Sequence, residues 1–299
     1  MILRNTSTSG EFAKAATEEL LYTNLPQTRK LKPTGYPTDN TTTPNDNVAK
    51  VSAAQGDQKI GPSIVLKVMT GDKFNVKVSS WYRTNNIAPD QPVSPLPDLI
   101  LALANGLSGV VSSGGHGGTV TPTDLQNTGL LSPNATQFLS SQPYVSSKPK
   151  AYLNWILFDE HFRYVGSSSG AEQVPDETVF GTTPNNHVYN HIKTDLPIDK
   201  NGYLYVYVSN ETPNIPVFFD NLQVTHIKGP LTEETHYYPF GLTMAGISSK
   251  AAGGIENKKK YNGIEQNNDF DLNMYDAFYR NLDPQIGRFW QVDPQADLL

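Results

Sequence analysis

Hydrophobic and polar residues alternate along several stretches of the chain, and this alternation predicts β-strands. The clearest stretch is "GYLYVYVSN", residues 202–210. One of its faces is aliphatic and the other is aromatic: Leu204, Val206 and Val208 against Tyr203, Tyr205 and Tyr207. Two half-buried faces are implied, as in a strand of a sandwich rather than of a parallel sheet covered on both sides.

An earlier stretch, "GPSIVLKVMTGDKFNVKVSSWYR", predicts two strands around a turn at Gly71 and Asp72. In the second strand the two faces differ again: Phe74, Val76 and Val78 point one way, and Lys77, Trp81 and Arg83 point the other. Half-buried faces of this kind are typical of antiparallel sheets packed as a sandwich. We therefore predict a mostly β protein.

The alternation is interrupted between residues 84 and 149. This stretch begins rich in proline, and its apolar part predicts a helix from about Pro97 to Val111, with Asp98 near its start. It is interpreted as an excursion between strands. The predicted domains are a polar lead-in at 1–44, a β-sandwich at 45–227 with this insertion, and a third segment at 228–299.

Composition narrows the functional classes. The net charge is −6 and the pI is about 5.5, so no basic surface for nucleic acid or an anionic membrane is expected. The chain has no cysteine, which excludes disulfides and thiolate metal sites. The first residues lack the pattern of a signal peptide, and no segment has the length and apolarity of a membrane span, so membrane insertion is not expected.

One carboxylate is out of place in the strand pattern. In "PVFFDNLQVTH" the alternating set expected to face the core is Phe218, Asp220, Leu222 and Val224. A buried carboxylate needs a hydrogen bond, a counter-charge or a cation. Two alternatives are open for Asp220: bonds from turn amides or a lysine, or ligation of a structural calcium ion, which prefers oxygen ligands.

Signals for catalysis are weak. His187 and His191 are four residues apart, a spacing that brings two ligands together on a helix, but this stretch is rich in strand residues and asparagine. No nucleophile motif or phosphate-binding loop is visible. The protein is therefore not expected to be an enzyme.

The sandwich region resembles the galactose-binding-like jelly rolls of carbohydrate-binding modules. The matching stretches are "GPSIVLKVMTGDKFNVKVSSWYR" and "NGYLYVYVSNETPNIPVFFDNLQV". The resemblance implies a jelly-roll fold and a structural calcium ion at Asp220. It also implies sugar stacking on exposed aromatic side chains, here Trp81, Tyr203, Tyr205 and Tyr207, which Trp155 could join. The alternative is that these aromatics pack against the inserted helix or a neighbouring domain.

The last segment resembles the core that follows Rhs repeats, in the form common in Bacteroidetes-like proteins. The matching stretches are "YYPFG" (237–241), "KYNGIE" (260–265) and "MYDAFYRNLDPQIGRFWQVDP" (274–294). Aromatic residues between glycine and proline turns agree with short wound strands. The resemblance implies a truncated Rhs core segment of a secreted or cell-surface protein, whose YD repeats form a β-shell before a variable C-terminal effector, often a toxin.

The function expected from both resemblances is that of a non-catalytic structural module, with the rest of the shell and the effector as its partners. The alternative is a carbohydrate-binding adhesin module with a calcium-stabilised sandwich, which would have glycans as partners. In relatives the core ends in a self-cleavage site of two Asp-Pro motifs. Asp293 with Pro294 matches the first motif and the second would lie beyond Leu299, so cleavage is expected only in a longer chain.

Overall fold

Antiparallel strands make up most of the regular structure, which confirms the prediction of a mostly β protein. The computed structural model describes residues 2–8, 15–38, 47–111, 129, 131–182, 185–229, 233–250, 259–267, 272–277 and 279–294. The chain divides into two compact units, Met1–Gly229 and Pro230–Leu299.

The first sheet of the first unit is built from strands that lie far apart in sequence. Its members are β1 (Ile2–Thr8), β2 (Arg29–Leu31), β3 (Asn47–Val51), β5 (Lys73–Trp81), β8 (Tyr189–Pro197) and β10 (Val217–Ile227). The order is β2-β3-β10-β5-β8, and β1 pairs with β10. The region predicted as a polar lead-in, 1–44, supplies β1 and β2 to this sheet.

The second sheet contains β4 (Ile60–Val68), β6 (Ala151–Asp159), β7 (Gly170–Gln173) and β9 (Gly202–Asn210), in the order β4-β9-β6-β7. β4 and β5 flank the predicted turn but belong to different sheets, so the turn carries the chain from one sheet to the other. Gly71 in this turn has a φ of 87°, a conformation that glycine adopts at little cost.

The two sheets share one hydrophobic core. Buried side chains from both sheets form one cluster, which includes Val76, Val78, Leu153, Leu157, Leu204, Val206 and Val208. The aliphatic face predicted for β9 lies in this cluster. The first unit is therefore a sandwich of two antiparallel sheets.

The helical insertion covers the outer face of the second sheet. Two short helices, α1 (Ala15–Glu18) and α2 (Leu25–Thr28), precede it, and the insertion forms α3 (Leu96–Val111) and α4 (Leu131–Ser141). This confirms the predicted helix, with Pro97 and Asp98 in its first turn, where proline and an acidic residue are favourable. Leu99, Leu103 and Leu107 recur every four residues and are fully buried against this sheet.

A β-bulge changes the face on which Asp220 lies. The pairing of β10 with β5 shifts between Asp220 and Gln223, and Asn221 has a φ of 54°. Before the bulge, Asp220 is paired with Ser79, on the outer side of the first sheet, whereas Val224 after it is paired with Val76, on the core side. The prediction that Asp220 shares the core face with Leu222 and Val224 is therefore wrong, whereas Phe218 lies in the same buried cluster as these two residues.

The second unit contains shorter strands. They are β11 (Glu233–Glu234) paired with β12 (Ser249–Lys250), and a four-stranded antiparallel sheet of β13 (Glu265–Asn267), β14 (Met274–Ala277), β15 (Arg280–Asp283) and β16 (Arg288–Phe289). The buried hydroxyl of Tyr275 donates to the Gly241 carbonyl at 2.8 Å. The ring of Tyr261 contacts those of Tyr237 and Tyr275, so aromatic contacts connect the segments of this unit.

Candidate functional site

The aromatic face of β9 is closed by the helical insertion. Tyr205 and Tyr207 are fully buried in the cluster formed with α3 and α4, and Tyr203 is half-buried, with its ring stacked on that of Phe162. Burial raises the pKa of both Tyr205 and Tyr207, because the phenolate would be poorly solvated. These tyrosines lie where the packing alternative expects them, and no sugar reaches the two buried rings unless the helices move.

The two tryptophans of the first unit are also packed. Trp81 is 3% exposed, lies against Tyr36 and Phe218, and has the Arg83 guanidinium carbon 5.5 Å from its ring centroid. Trp155 belongs to the shared core of the two sheets, where its ring fills the space beside Gly170. Neither ring presents an open face for stacking.

Asp220 is buried beside the bulge of β10. The backbone amide of Asn221 donates to Asp220 Oδ1 at 2.8 Å, a bond of the kind that the hydrogen-bonded alternative requires. Within the described ranges, no group of three or more His, Asp or Glu side chains has the geometry of a metal site. The calcium ion predicted at Asp220 remains a prediction.

An open cleft lies where the C-terminal end of β5 meets the loop after β7. Its volume is about 920 Å³. It is lined by three segments of the chain: residues 82–84 with 86–89, residues 146–147, and residues 176–178 with 181–182. This volume is in the range of small-molecule binding sites. Sequence reasoning did not find this cleft, because its residues come from three loops of the chain.

Hydrogen bonds from Arg83 and Thr84 connect two of the segments that line the cleft. Arg83 Nη2 donates to the Gly181 carbonyl at 2.7 Å, and Arg83 Nη1 lies 3.7 Å from Glu177 Oε1. The Thr84 hydroxyl donates to the other oxygen of Glu177. The Arg83 charge is thus balanced by Glu177 within the cleft.

Asp176 supplies a second carboxylate to the cleft. Its Oδ1 accepts hydrogen bonds from the Thr178 amide at 3.0 Å and the Thr178 hydroxyl at 2.8 Å, which caps a short 3-10 helix at Glu177–Phe180. These two bonds hold the pKa of Asp176 below its ordinary value. Lys148 lies close enough for an electrostatic interaction with the same carboxylate.

A serine, a histidine and a glutamate meet at the edge of the sandwich. Ser80 Oγ lies 2.9 Å from His191 Nε2, and His191 Nδ1 lies 3.4 Å from Glu172 Oε2. Burial acts to raise the pKa of Glu172, but His191 and Lys193 together hold it below its ordinary value. Ser80 and His191 are fully buried, so a substrate cannot approach the hydroxyl, and we assign the group to packing between the sheets.

The histidine pair noted in the sequence does not form a site. His191 is buried within the sandwich, whereas His187 is exposed in the loop before β8. The two imidazoles therefore lie in different environments, as expected when residues four apart occupy a strand and its preceding loop.

In the second unit, Asp293 forms an ion pair with Arg280, with 2.8 Å between its Oδ2 and the Arg280 Nη1. The Arg280 guanidinium also stacks over the Phe289 ring at 4.0 Å. Asp283, in the other Asp-Pro dipeptide, accepts the Gln285 amide at 2.9 Å and the Trp290 indole N–H at 3.3 Å. Each carboxylate therefore has a structural contact within this unit.

Large apolar side chains of the second unit are exposed. Trp290 is 61% exposed and Val292 is 82% exposed, although the Trp290 amide donates to the Asn281 carbonyl of β15 at 3.0 Å. Others with exposed rings or chains are Tyr238, Phe240, Tyr279 and Ile286. These large apolar side chains of the second unit are therefore exposed.

Compared with known proteins, the chain matches no family model, and no curated protein matches it significantly. In the described part of the chain, no helix is both long and apolar enough to cross a membrane.

Proposed function

We propose that the chain is a non-catalytic structural module of a secreted or cell-surface Rhs-like protein, part of a shell or scaffold that precedes a variable C-terminal effector. The observation that supports this role is the exposed apolar surface of the second unit, around Trp290 and Val292. Burial of such side chains against further repeats would stabilise a shell by about 25 cal/mol for each Å² removed from water.

The proposal also concerns the fold and the metal site of the first unit. The sandwich of the first unit is taken to be a jelly roll similar to those of carbohydrate-binding modules, with a structural calcium ion at Asp220. The two antiparallel sheets and the burial of Asp220 are compatible with this assignment. Self-cleavage at Asp293 would require a second carboxylate that can share a proton with it, supplied by a longer chain.

Substitution of the exposed side chains tests the structural role. In the 299-residue chain, Trp290→Ser and Val292→Ser should change the free energy of unfolding by less than about 0.5 kcal/mol, as for most surface substitutions. In the protein encoded by the whole reading frame, the same changes should increase cleavage by trypsin. Leu20→Ser, at an exposed leucine of the first unit, is the matched control. Equal cleavage of all variants would refute the proposal.

A second candidate function is that of a carbohydrate-binding adhesin module. The observation that favours it is the open cleft beside β5. The aromatic side chains first predicted to bind sugar are packed, so this function requires a different surface. An array of neutral, sialylated and sulfated oligosaccharides tests it, and the absence of binding to every oligosaccharide would exclude it.

A further inference from the structure

We infer that the cleft beside β5 binds an alkylammonium group, the chemistry shared by a lysine side chain and a free diamine. The charges of the lining residues and one carboxylate oxygen of Asp176 carry this inference. It goes beyond the structural role proposed above, and that role does not depend on it.

The lining of the cleft carries one positive and two negative side chains, Arg83 against Asp176 and Glu177. Glu177 is already engaged: Arg83 Nη1 lies 3.7 Å from one of its oxygens, and the Thr84 hydroxyl donates to the other. The charge of Asp176 is therefore not balanced by another lining residue. A cleft of this kind attracts a cationic ligand and repels an anionic one.

Asp176 offers one carboxylate oxygen to a ligand. Its Oδ1 accepts the amide and the hydroxyl of Thr178, whereas its Oδ2 makes no hydrogen bond to the described residues. Lys148 interacts with this carboxylate only at longer range, because it does not line the cleft and no basic group of the described ranges lies within 4.0 Å of Asp176. The two bonds from Thr178 hold the pKa of Asp176 below its ordinary value, so the carboxylate is ionised at neutral pH. An ammonium group can therefore donate a charge-assisted hydrogen bond to Oδ2.

Apolar groups line the same cleft. They belong to Ile87, Ala88 and Pro89, and Ile87 is 57% exposed. The methylene groups of an alkylammonium chain would leave water on contact with this surface, and each buried methylene strengthens binding. An alkyl chain that ends in an ammonium group can use both the apolar surface and the carboxylate, whereas methylammonium uses the carboxylate alone.

The cleft is held in shape before any ligand binds. Asn214 Nδ2 donates to the Ala88 carbonyl at 2.8 Å, and Asn214 Oδ1 accepts the Asp90 amide at 2.9 Å, so the loop after β5 is fixed from a distant part of the chain. The Tyr82 hydroxyl donates to the Pro175 carbonyl at 2.9 Å, next to the segment that carries the carboxylates. A preformed site loses less conformational entropy on binding.

The test is a titration of the isotope-labelled 299-residue chain, followed by the NMR shifts of the Thr178 and Gly181 amides in the cleft. The probe is Nα-acetyl-lysine amide, with Nα-acetyl-norleucine amide as its neutral isostere and methylammonium as a cation without an alkyl chain. We expect the lysine amide to bind at least about tenfold more tightly than either control probe. The diamine cadaverine is titrated in parallel. The tighter of the two amines identifies the source of the ammonium group, a polypeptide or a free diamine.

Two pairs of variants locate the site. Asp176→Asn keeps an acceptor for Thr178 but loses the charge, and should weaken binding of the lysine amide at least about tenfold. Asp195→Asn, at an aspartate whose side chain is 69% exposed outside the cleft, should not change it. Ile87→Ser should reduce the preference for the lysine amide over methylammonium, whereas Val93→Ser, at an exposed valine outside the cleft, should not.

Each outcome decides for or against the inference. Preferential binding of the lysine amide, lost in Asp176→Asn and kept in Asp195→Asn at an unchanged melting temperature, supports it. Should Asp176→Asn lower the melting temperature, the comparison of Ile87→Ser with Val93→Ser decides. Equal binding of the norleucine amide overturns the cationic ligand, and equal binding of methylammonium means an adventitious ion only. Binding that survives Asp176→Asn overturns the cleft as the site, and no binding of any amine overturns the inference while the structural role stands.

Discussion

The Asp72 carboxylate joins the turn between the two sheets to the end of β10. Its Oδ2 accepts the Met69 amide at 2.9 Å and His226 Nε2 lies 2.8 Å from the same oxygen, while its Oδ1 accepts the Gly229 amide at 2.7 Å. Asp72→Asn replaces one of these oxygens by an NH₂ group, which would point a donor at a donor. We therefore expect this substitution to destabilise the first unit.

The magnitude follows from the bonds that are lost. Hydrogen bonds to a charged group contribute about 1.5–3 kcal/mol each, and an asparagine retains at least one acceptor, so we expect a loss of about 2–4 kcal/mol. For a unit of this size, each kcal/mol corresponds to roughly 2–4 °C in Tm, which predicts a decrease of roughly 4–16 °C. Asp90→Asn, at an exposed position of the same unit, should have almost no effect.

The effect should also depend on pH. Burial acts to raise the pKa of Asp72, but its three hydrogen-bond partners together hold this pKa below the ordinary value of 3.8. A carboxyl with a depressed pKa contributes stability above its unfolded pKa and loses it as the pH falls through its folded pKa. The stability difference between wild type and Asp72→Asn should therefore be full at neutral pH and should decrease below pH 3.8.

The assay is urea and thermal unfolding in a Trp290→Phe background, so that fluorescence reports Trp81 and Trp155 of the first unit. A Tm for Asp72→Asn within about 1 °C of that for Asp90→Asn would refute the reasoning, because it would mean that the three bonds contribute no net stability. A difference that stays constant from neutral pH to below pH 3.8 would refute the ionic part of it.

Three further predictions concern other regions. Leu103→Ala, in the fully buried face of α3, should cost about 2–5 kcal/mol in chemical unfolding, whereas the exposed Leu101→Ala should cost far less; equal costs would contradict the packing of α3 on the second sheet. Calcium at a hundredfold excess over its Kd should stabilise the wild type by about 2.7 kcal/mol but not Asp220→Ala, and identical melts in calcium and in chelator would exclude the metal. The 299-residue chain should keep its full mass on incubation, and a fragment ending at Asp293 in mass spectrometry would contradict the need for a second carboxylate.

The alternating strands were predictable because the two faces of each strand differ from each other in chemistry. The alternation of Leu204 and Val206 with Tyr205 and Tyr207 identified β9 and its two faces, and the structure places one set between the sheets and the other under the helices. The helix α3 was predictable from Pro97 and Asp98 at its start. These signals are local in sequence, so they do not depend on which distant segments of the chain pair with each other.

The errors arise where the fold depends on distant pairing. The face of Asp220 was predicted wrongly because the bulge at Asn221 interrupts the alternation without changing the residue pattern. Ser80, His191 and Glu172 lie on three strands of two sheets, so their meeting depends on pairing between segments about 100 residues apart. The cleft beside β5 also depends on distant pairing, because three loops of the chain form it.

We propose that the second unit packs against further parts of a larger shell. Hydroxyl-radical footprinting of the 299-residue chain and of the protein encoded by the whole reading frame tests it most directly, with oxidation of Trp290 and Tyr279 as the readout. Our account predicts strong oxidation of both residues in the 299-residue chain and protection in the larger protein, with the exposed Tyr144 of the first unit as the reference. Equal oxidation of Trp290 and Tyr279 in the two proteins would contradict it.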